Sequence, residues 1–114
     1  MNEQSHSAGP PGITSAERRR LRQIAHHLDP VIMVGDAGVS DAVITETARA
    51  LADHELIKVR IAGDDRESRA TARTALADGC SATIVQTIGK IVVLYRRNPK
   101  AKPRLSNLTR FGST

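Results

Sequence analysis

Apolar residues recur at helical spacing in three stretches of the chain and at strand spacing between them. Thr14-Ser15-Ala16-Glu17 has the spacing of a capping box, and Leu21, Ile24, Ala25 and Leu28 follow as one helical face that Asp29-Pro30 ends. The other faces of this helix hold Arg18, Arg19, Arg20, Arg22, His26 and His27, with Arg19, Arg22 and His26 aligned as an outward ridge. Val31-Ile32-Met33-Val34 is a short apolar run between Pro30 and Gly35 and predicts a buried strand. After Gly35-Asp36-Ala37-Gly38, Ser40 can cap a second helix that runs to about His54 with Val43, Ile44, Thr47, Ala48 and Leu51 on its apolar face. Val39 and Ile44 are placed as a hydrophobic staple at its start.

From Leu56 to Ile61 the pattern alternates. Ile57, Val59 and Ile61 share one face and Lys58 and Arg60 the other, which predicts a strand with one face buried and one wet or covered by the tail. Asp64-Asp65-Arg66-Glu67 offers a second capping box for a third helix that continues through Ala77 and stops at Gly79. Its core face is Ala72, Ala75 and Leu76, and Arg66, Arg69 and Arg73 form a basic stripe. Ala82–Ile88 and Ile91–Tyr95 then read as strands joined by a two-residue turn at Gly89-Lys90. The expected fold is α/β in the order α-β-α-β-α-β-β, with a four-stranded mixed sheet packed under helices: crossovers supply parallel pairs and the final hairpin an antiparallel one.

Composition adjusts this picture at the ends. Ser, Gly and Pro dominate residues 1–13, and 98–114 contains Pro99, Pro103 and scattered cations without periodicity. Both ends therefore read as flexible tails around a folded unit at 14–97. The single cysteine, Cys80, cannot close an internal disulfide, no stretch is long and apolar enough to span a membrane, and the N-terminus lacks the apolar stretch of a secretory signal. A soluble, cytoplasmic protein, monomeric by default, is the expectation.

The chain carries a formal net charge of +5, unevenly spread. Residues 1–27 hold four Arg against two Glu, residues 28–95 seven Lys/Arg against ten Asp/Glu, and residues 96–114 six Lys/Arg with no acid. Cationic flanks suit contact with a polyanion, and they equally suit a surface that only keeps the protein in solution.

Two glycines bracketing a strand-to-helix loop allow a sugar-phosphate backbone to approach without a Cβ clash, beside a helix N-terminus whose dipole favours phosphate. Gly35 to Gly38 has that form, with Ser40 following it; the same pattern also serves as an ordinary turn. Tyr95 and Phe111 are the only aromatics, so a base-stacking platform of the kind used by RRM sheets or OB barrels is not expected; binding would rest on backbone charge and shape, which favours structured RNA or an RNA–protein particle over sequence-specific reading of an unpaired strand. Tyr95, near a strand end, reads as a core-edge residue rather than a stacking partner. His26, His27 and His54 show no metal-ligand spacing with one another or with Cys80. Asp64, Asp65 and Glu67 are explained by helix capping without a cation, and no nucleophile motif is present. Cys80 reads as a small buried residue. No catalytic group, metal, cofactor or small-molecule substrate is expected.

The segments Leu21–Val43 (LRQIAHHLDPVIMVGDAGVSDAV), His54–Ile61 (HELIKVRI), Asp64–Glu67 (DDRE) and Ile88–Arg96 (IGKIVVLYR) together resemble the CRM domain. This is the chloroplast RNA splicing and ribosome maturation module, here in its single-domain bacterial, YhbY-like form. The resemblance spans residue 14 to about 97 and implies a sheet similar to that in the C-terminal domain of translation initiation factor 3. It implies RNA binding through the GXXG loop and nearby basic surface, and association with precursors of the large ribosomal subunit. Carried onto this chain, the loop is Gly35 to Gly38, the basic strand positions are Lys58 and Arg60, and the hairpin signature is Gly89-Lys90 with Tyr95-Arg96. Asp36 departs from the basic or neutral residue expected in such a loop. The RNA-contacting set expected from the basic faces and the resemblance together is Gly35, Asp36, Ala37, Gly38, Ser40, Arg18, Arg19, Arg22, Lys58, Arg60, Arg66, Lys90 and Arg96. The expected role is a ribosomal-RNA-binding assembly factor; the alternative is an adaptor that docks on a ribosomal or other protein without touching RNA.

Overall fold

A computed structural model describes residues 12–112 and contains eight elements. They are α1 (Ser15–Ala25), β1 (Pro30–Val34), α2 (Asp41–His54), β2 (Leu56–Ile61), α3 (Arg66–Cys80), β3 (Thr83–Ile88), β4 (Ile91–Tyr95) and α4 (Asn107–Gly112). The order expected from sequence is borne out through β4. The sheet has strand order β1-β2-β4-β3, with β1 parallel to β2 across the α2 crossover and β4 antiparallel to both β2 and β3.

Helices cover both faces. On one, α2 and α3 bury Leu51, Leu76, Ala77 and Cys80 against Ile32, Val34, Ile57, Val59, Val92 and Leu94. On the other, α1 buries Leu21, Ile24 and Ala25 against Leu56, Val85 and Val93, and Leu108 and Phe111 of α4 close over the same cluster.

The local signals act through definite bonds. Thr14 Oγ1 accepts from the Glu17 N–H at 3.0 Å and Glu17 Oε1 from the Thr14 N–H at 2.9 Å, completing the capping box of α1. The α-helix ends at Ala25; His26 and His27 form a tighter turn in which the Leu28 N–H donates to Ala25 O, so Leu28 lies beyond the helix. At α3 the cap is Asp65 rather than Asp64. Its carboxylate accepts from the Ser68 hydroxyl and then from the Glu67 N–H, which together hold its pKa below the ordinary carboxylate value.

Strand β1, expected to be buried, lies at the sheet edge and exposes Val31 and Met33 on one face, and three further expectations need correction. Ala75 is exposed, and the α3 core face is Leu76, Ala77 and Cys80. Gly79 does not stop α3, which runs on to Cys80 and is capped by Ser81 in the left-handed region. A Cβ on Gly79 would stand 2.8 Å from Cδ1 of Ile44, so this glycine lets α2 and α3 pack closely instead of ending a helix.

The third concerns the C-terminal segment, which folds back as α4. Ser106 and Asn107 are buried, Asn107 Nδ2 donates to Leu56 O at 2.7 Å, and Ser106 Oγ donates to Glu55 Oε1 at 2.9 Å. Residues 98–112 are thus part of the folded unit. Ile13, counted with the N-terminal tail, packs against the α1 cluster; residues 1–11 lie outside the described residues.

Candidate nucleic-acid interface

The glycine loop follows β1 directly and forms a tight turn in which the Gly38 N–H donates to Gly35 O at 3.0 Å. Gly38 has φ +88°, a conformation that L side chains rarely adopt, so the turn itself requires glycine there. Gly35 differs: its φ is ordinary and a Cβ added to it would meet nothing within 4 Å. Nothing inside the fold demands glycine at 35, and the space around it is open to a ligand. Asp36 and Ala37 are exposed at the tip.

Ser40 caps α2, its hydroxyl oxygen accepting from the Val43 N–H at 3.2 Å. By helix geometry the N–H groups of Asp41 and Ala42 lack intrahelical partners and remain as donors beside the loop, although the Asp41 carboxylate shares that first turn.

The sheet brings further residues to the same end. The Ala62 N–H donates to Val34 O and the Ile61 N–H to Lys90 O, both at 2.8 Å, which ties the ends of β1 and β2 to the Gly89-Lys90 turn. Arg60 pairs with Met33 on one side and Ile91 on the other, and Lys58 lies one pleat further in on the same face. Arg66 begins α3 at this end and is exposed. Lys90 Nζ stands 3.9 Å from Asp64 Oδ1, a loose and solvated pairing.

Arg19 and Arg22 are exposed on α1, where they line a shallow groove of about 500 Å³ with Gln23, His26 and His27. They form a second basic area, on the helix that covers the Lys58 face. The α4 packing extends it: the Phe111 ring stacks on His27 at 6.1 Å between centroids, and the Arg110 guanidinium sits 5.1 Å over Phe111. The two cationic flanks of the sequence therefore meet side by side. Periodicity gave no signal for this, because α4 is too short to show any.

Two residues of the expected set have work inside the fold. The Arg18 guanidinium donates to Ile84 O at 3.0 Å and Val85 O at 2.7 Å, where the β3–β4 register shifts and leaves Val85 as an extra residue. Arg96 donates from Nη1 to Cys80 O at 2.8 Å and from Nη2 to Ala48 O at 3.0 Å, clamping α3 to α2. Both anchor the sheet to its helices.

Cys80 is buried, its Sγ–H donating to Ile44 O at 3.5 Å, and burial pushes the thiol pKa up despite Arg96 nearby, the opposite of what a reactive thiol needs. Tyr95 packs at the edge of the α1 cluster, and its pKa is raised by burial and then by Glu55 and Glu17. No helix among the described residues is long and apolar enough to cross a membrane.

Comparison with known proteins agrees with the geometry. The chain is 40% identical over 99 residues to "Probable RNA-binding protein PA4753" of Pseudomonas aeruginosa, covering 87% of this chain and 95% of that protein. It is 43% identical over 93 residues to an "RNA-binding protein" of Haemophilus influenzae, covering 82% of this chain and 94% of that one. The solution structure of the hypothetical protein SAV1595 from Staphylococcus aureus superimposes with a TM-score of 0.69 at 28% identity, over 80% of this chain and 95% of the other. The family model for the CRS1 / YhbY (CRM) domain matches residues 13–96, and the chain belongs to that family.

Proposed function

We propose that this protein binds folded ribosomal RNA in precursors of the large ribosomal subunit and assists their assembly, without catalysing a reaction. The observation that carries the reading is the convergence at one sheet end of the Gly35–Gly38 turn, with open space at Gly35, and the cations Arg60, Lys90 and Arg66. RNA phosphate backbone approaches the turn, the free N–H groups at the start of α2 donate to phosphate oxygens, and Lys58 and Arg60 grip the neighbouring phosphates. Arg19 and Arg22 on α1 form a second point of contact. Arg18 and Arg96 hold the fold and do not belong to the contact set. Asp36 points the turn away from simple charge attraction and leaves the backbone N–H groups and the flanking cations to bind.

The test is sedimentation of the tagged protein through ribosome profiles, wild type beside Gly35→Glu and Arg19→Glu/Arg22→Glu, at low and moderate salt. Co-migration with large-subunit precursors that both variants lose supports the reading. Migration unchanged by either variant points instead to docking on a protein, and no co-migration removes the ribosomal particle from the proposal.

A further inference from the structure

The loop end of the sheet carries a feature that the glycine turn and the cations do not explain. Val31, Met33 and Ile88 are 52%, 65% and 53% exposed, the large apolar side chains most open to solvent among the described residues. Met33 and Ile88 share one face: Met33 pairs with Arg60, Arg60 with Ile91 and Ile91 with Ile88, so a continuous cross-strand row runs over all four strands, while Val31, the extra residue where the β1–β2 register shifts, lies at the other end of β1 beside His27 and Phe111. Helix α1 covers this face over Leu56, Val85 and Val93 and leaves the row at the loop end bare.

We propose that this row is a platform for unpaired nucleobases of the bound RNA, a deepening that rests on the RNA-binding reading above. Two observations favour bases over a protein partner, and the Arg60 guanidinium between Met33 and Ile91 suits a base face as well as it suits a protein interface. The row spans only about 14 Å at ordinary strand spacing, room for two or three bases and far short of a stable protein interface. It also begins two residues before Gly35, so a strand held at the turn by its phosphates is delivered onto it.

Aliphatic side chains serve the purpose that aromatics serve elsewhere. The methionine thioether makes favourable contacts with π-systems, apolar side chains sandwich extruded bases in enzymes that act on them, and a guanidinium plane stacks on a base face. The scarcity of aromatics therefore does not exclude base contact, because this sheet presents methionine, isoleucine and arginine where an aromatic sheet presents rings.

The experiment titrates full-length protein against two RNA probes, a blunt duplex and the same duplex interrupted by a short unpaired internal loop. Wild type is compared with Met33→Ser/Ile88→Ser and with Lys58→Gln/Arg60→Gln, and a thermal melt of each variant confirms folding. Wild type should prefer the looped probe by about tenfold, the increment expected for base contacts. Met33→Ser/Ile88→Ser should lose that preference while keeping duplex affinity, and Lys58→Gln/Arg60→Gln should weaken binding of both probes. 4-Thiouridine in the loop should crosslink to peptides containing Met33 or Ile88. Equal binding of both probes by wild type, or a preference that survives Met33→Ser/Ile88→Ser, overturns the platform and leaves the RNA reading intact. Failure of wild type to bind either probe overturns both. RNA binding untouched by Met33→Ser/Ile88→Ser, together with loss of a ribonuclease-resistant protein complex, also overturns it and assigns the row to a protein.

Discussion

Gly35 and Gly38 bracket the same turn for different reasons, and that difference separates folding from binding. Gly38→Ala forces an L residue to φ +88° and should lower stability by about 1 kcal/mol. Gly35→Ala meets no atom within 4 Å and has no unusual φ to maintain, so its melting temperature should match wild type or exceed it slightly while RNA affinity falls. Thermal unfolding beside an RNA titration checks both, and loss of stability on Gly35→Ala would show that the fold, not the ligand, requires the glycine. The arginines divide in the same way. Removing Arg18 leaves the Ile84 and Val85 carbonyls without their donor and should cost roughly 1–3 kcal/mol in urea unfolding, while Arg19→Ala, fully on the surface, should cost less than about 0.5 kcal/mol.

Glu55 shows how one residue can organise an element that periodicity does not announce. It is the sole link between α2 and β2 and takes φ +63°, where glycine would be the usual choice. Its side chain explains the exception: the carboxylate accepts from the Asn98 N–H at 2.8 Å and the Ser106 hydroxyl at 2.9 Å, fastening the segment that leads into α4. Asn107 completes the attachment at Leu56 O. Asn107→Leu should therefore destabilise by about 1–3 kcal/mol, since a buried carbonyl loses its donor, and amide exchange in 107–112 should rise. Unchanged exchange there would mean that the Ser106–Glu55 bond and the packing of Leu108 and Phe111 hold α4 without the Asn107 bond. These bonds also explain what the sequence could and could not disclose. The helices α1 to α3 were legible from caps and 3.6-residue periodicity, and β2 from strict alternation. The C-terminal segment was not, because α4 is too short to show a period and its attachment depends on side-chain amides and hydroxyls beside Leu108 and Phe111. Whether β1 is buried on both faces is not legible from sequence: four consecutive apolar residues carry no period, and the edge position of β1 leaves Val31 and Met33 exposed on one face.

Charge in the folded molecule is arranged differently from charge along the chain. The middle segment is net acidic, yet it supplies Lys58, Arg60, Arg66 and Lys90 to the loop end of the sheet, while the cationic flanks are joined through the α1–α4 contact. The Arg18 and Arg96 guanidiniums are engaged by backbone carbonyls, so total charge overstates the binding potential. The proposed contact set is then Arg19, Arg22, Lys58, Arg60, Arg66 and Lys90. Six phosphate contacts predict that RNA affinity falls roughly a thousandfold between 50 and 200 mM salt, because each neutralised phosphate releases condensed counterion. Lys58→Gln/Arg60→Gln should flatten the log–log slope by about two contacts, and Arg96→Ala should leave the slope unchanged while lowering stability. The slope, rather than the affinity at one salt concentration, distinguishes cations that meet RNA from cations that hold the protein together. A steep wild-type slope that Arg96→Ala reduces as much as Lys58→Gln would show that the clamp between α2 and α3 also touches RNA, and a flat wild-type slope would remove phosphate contact as the basis of binding.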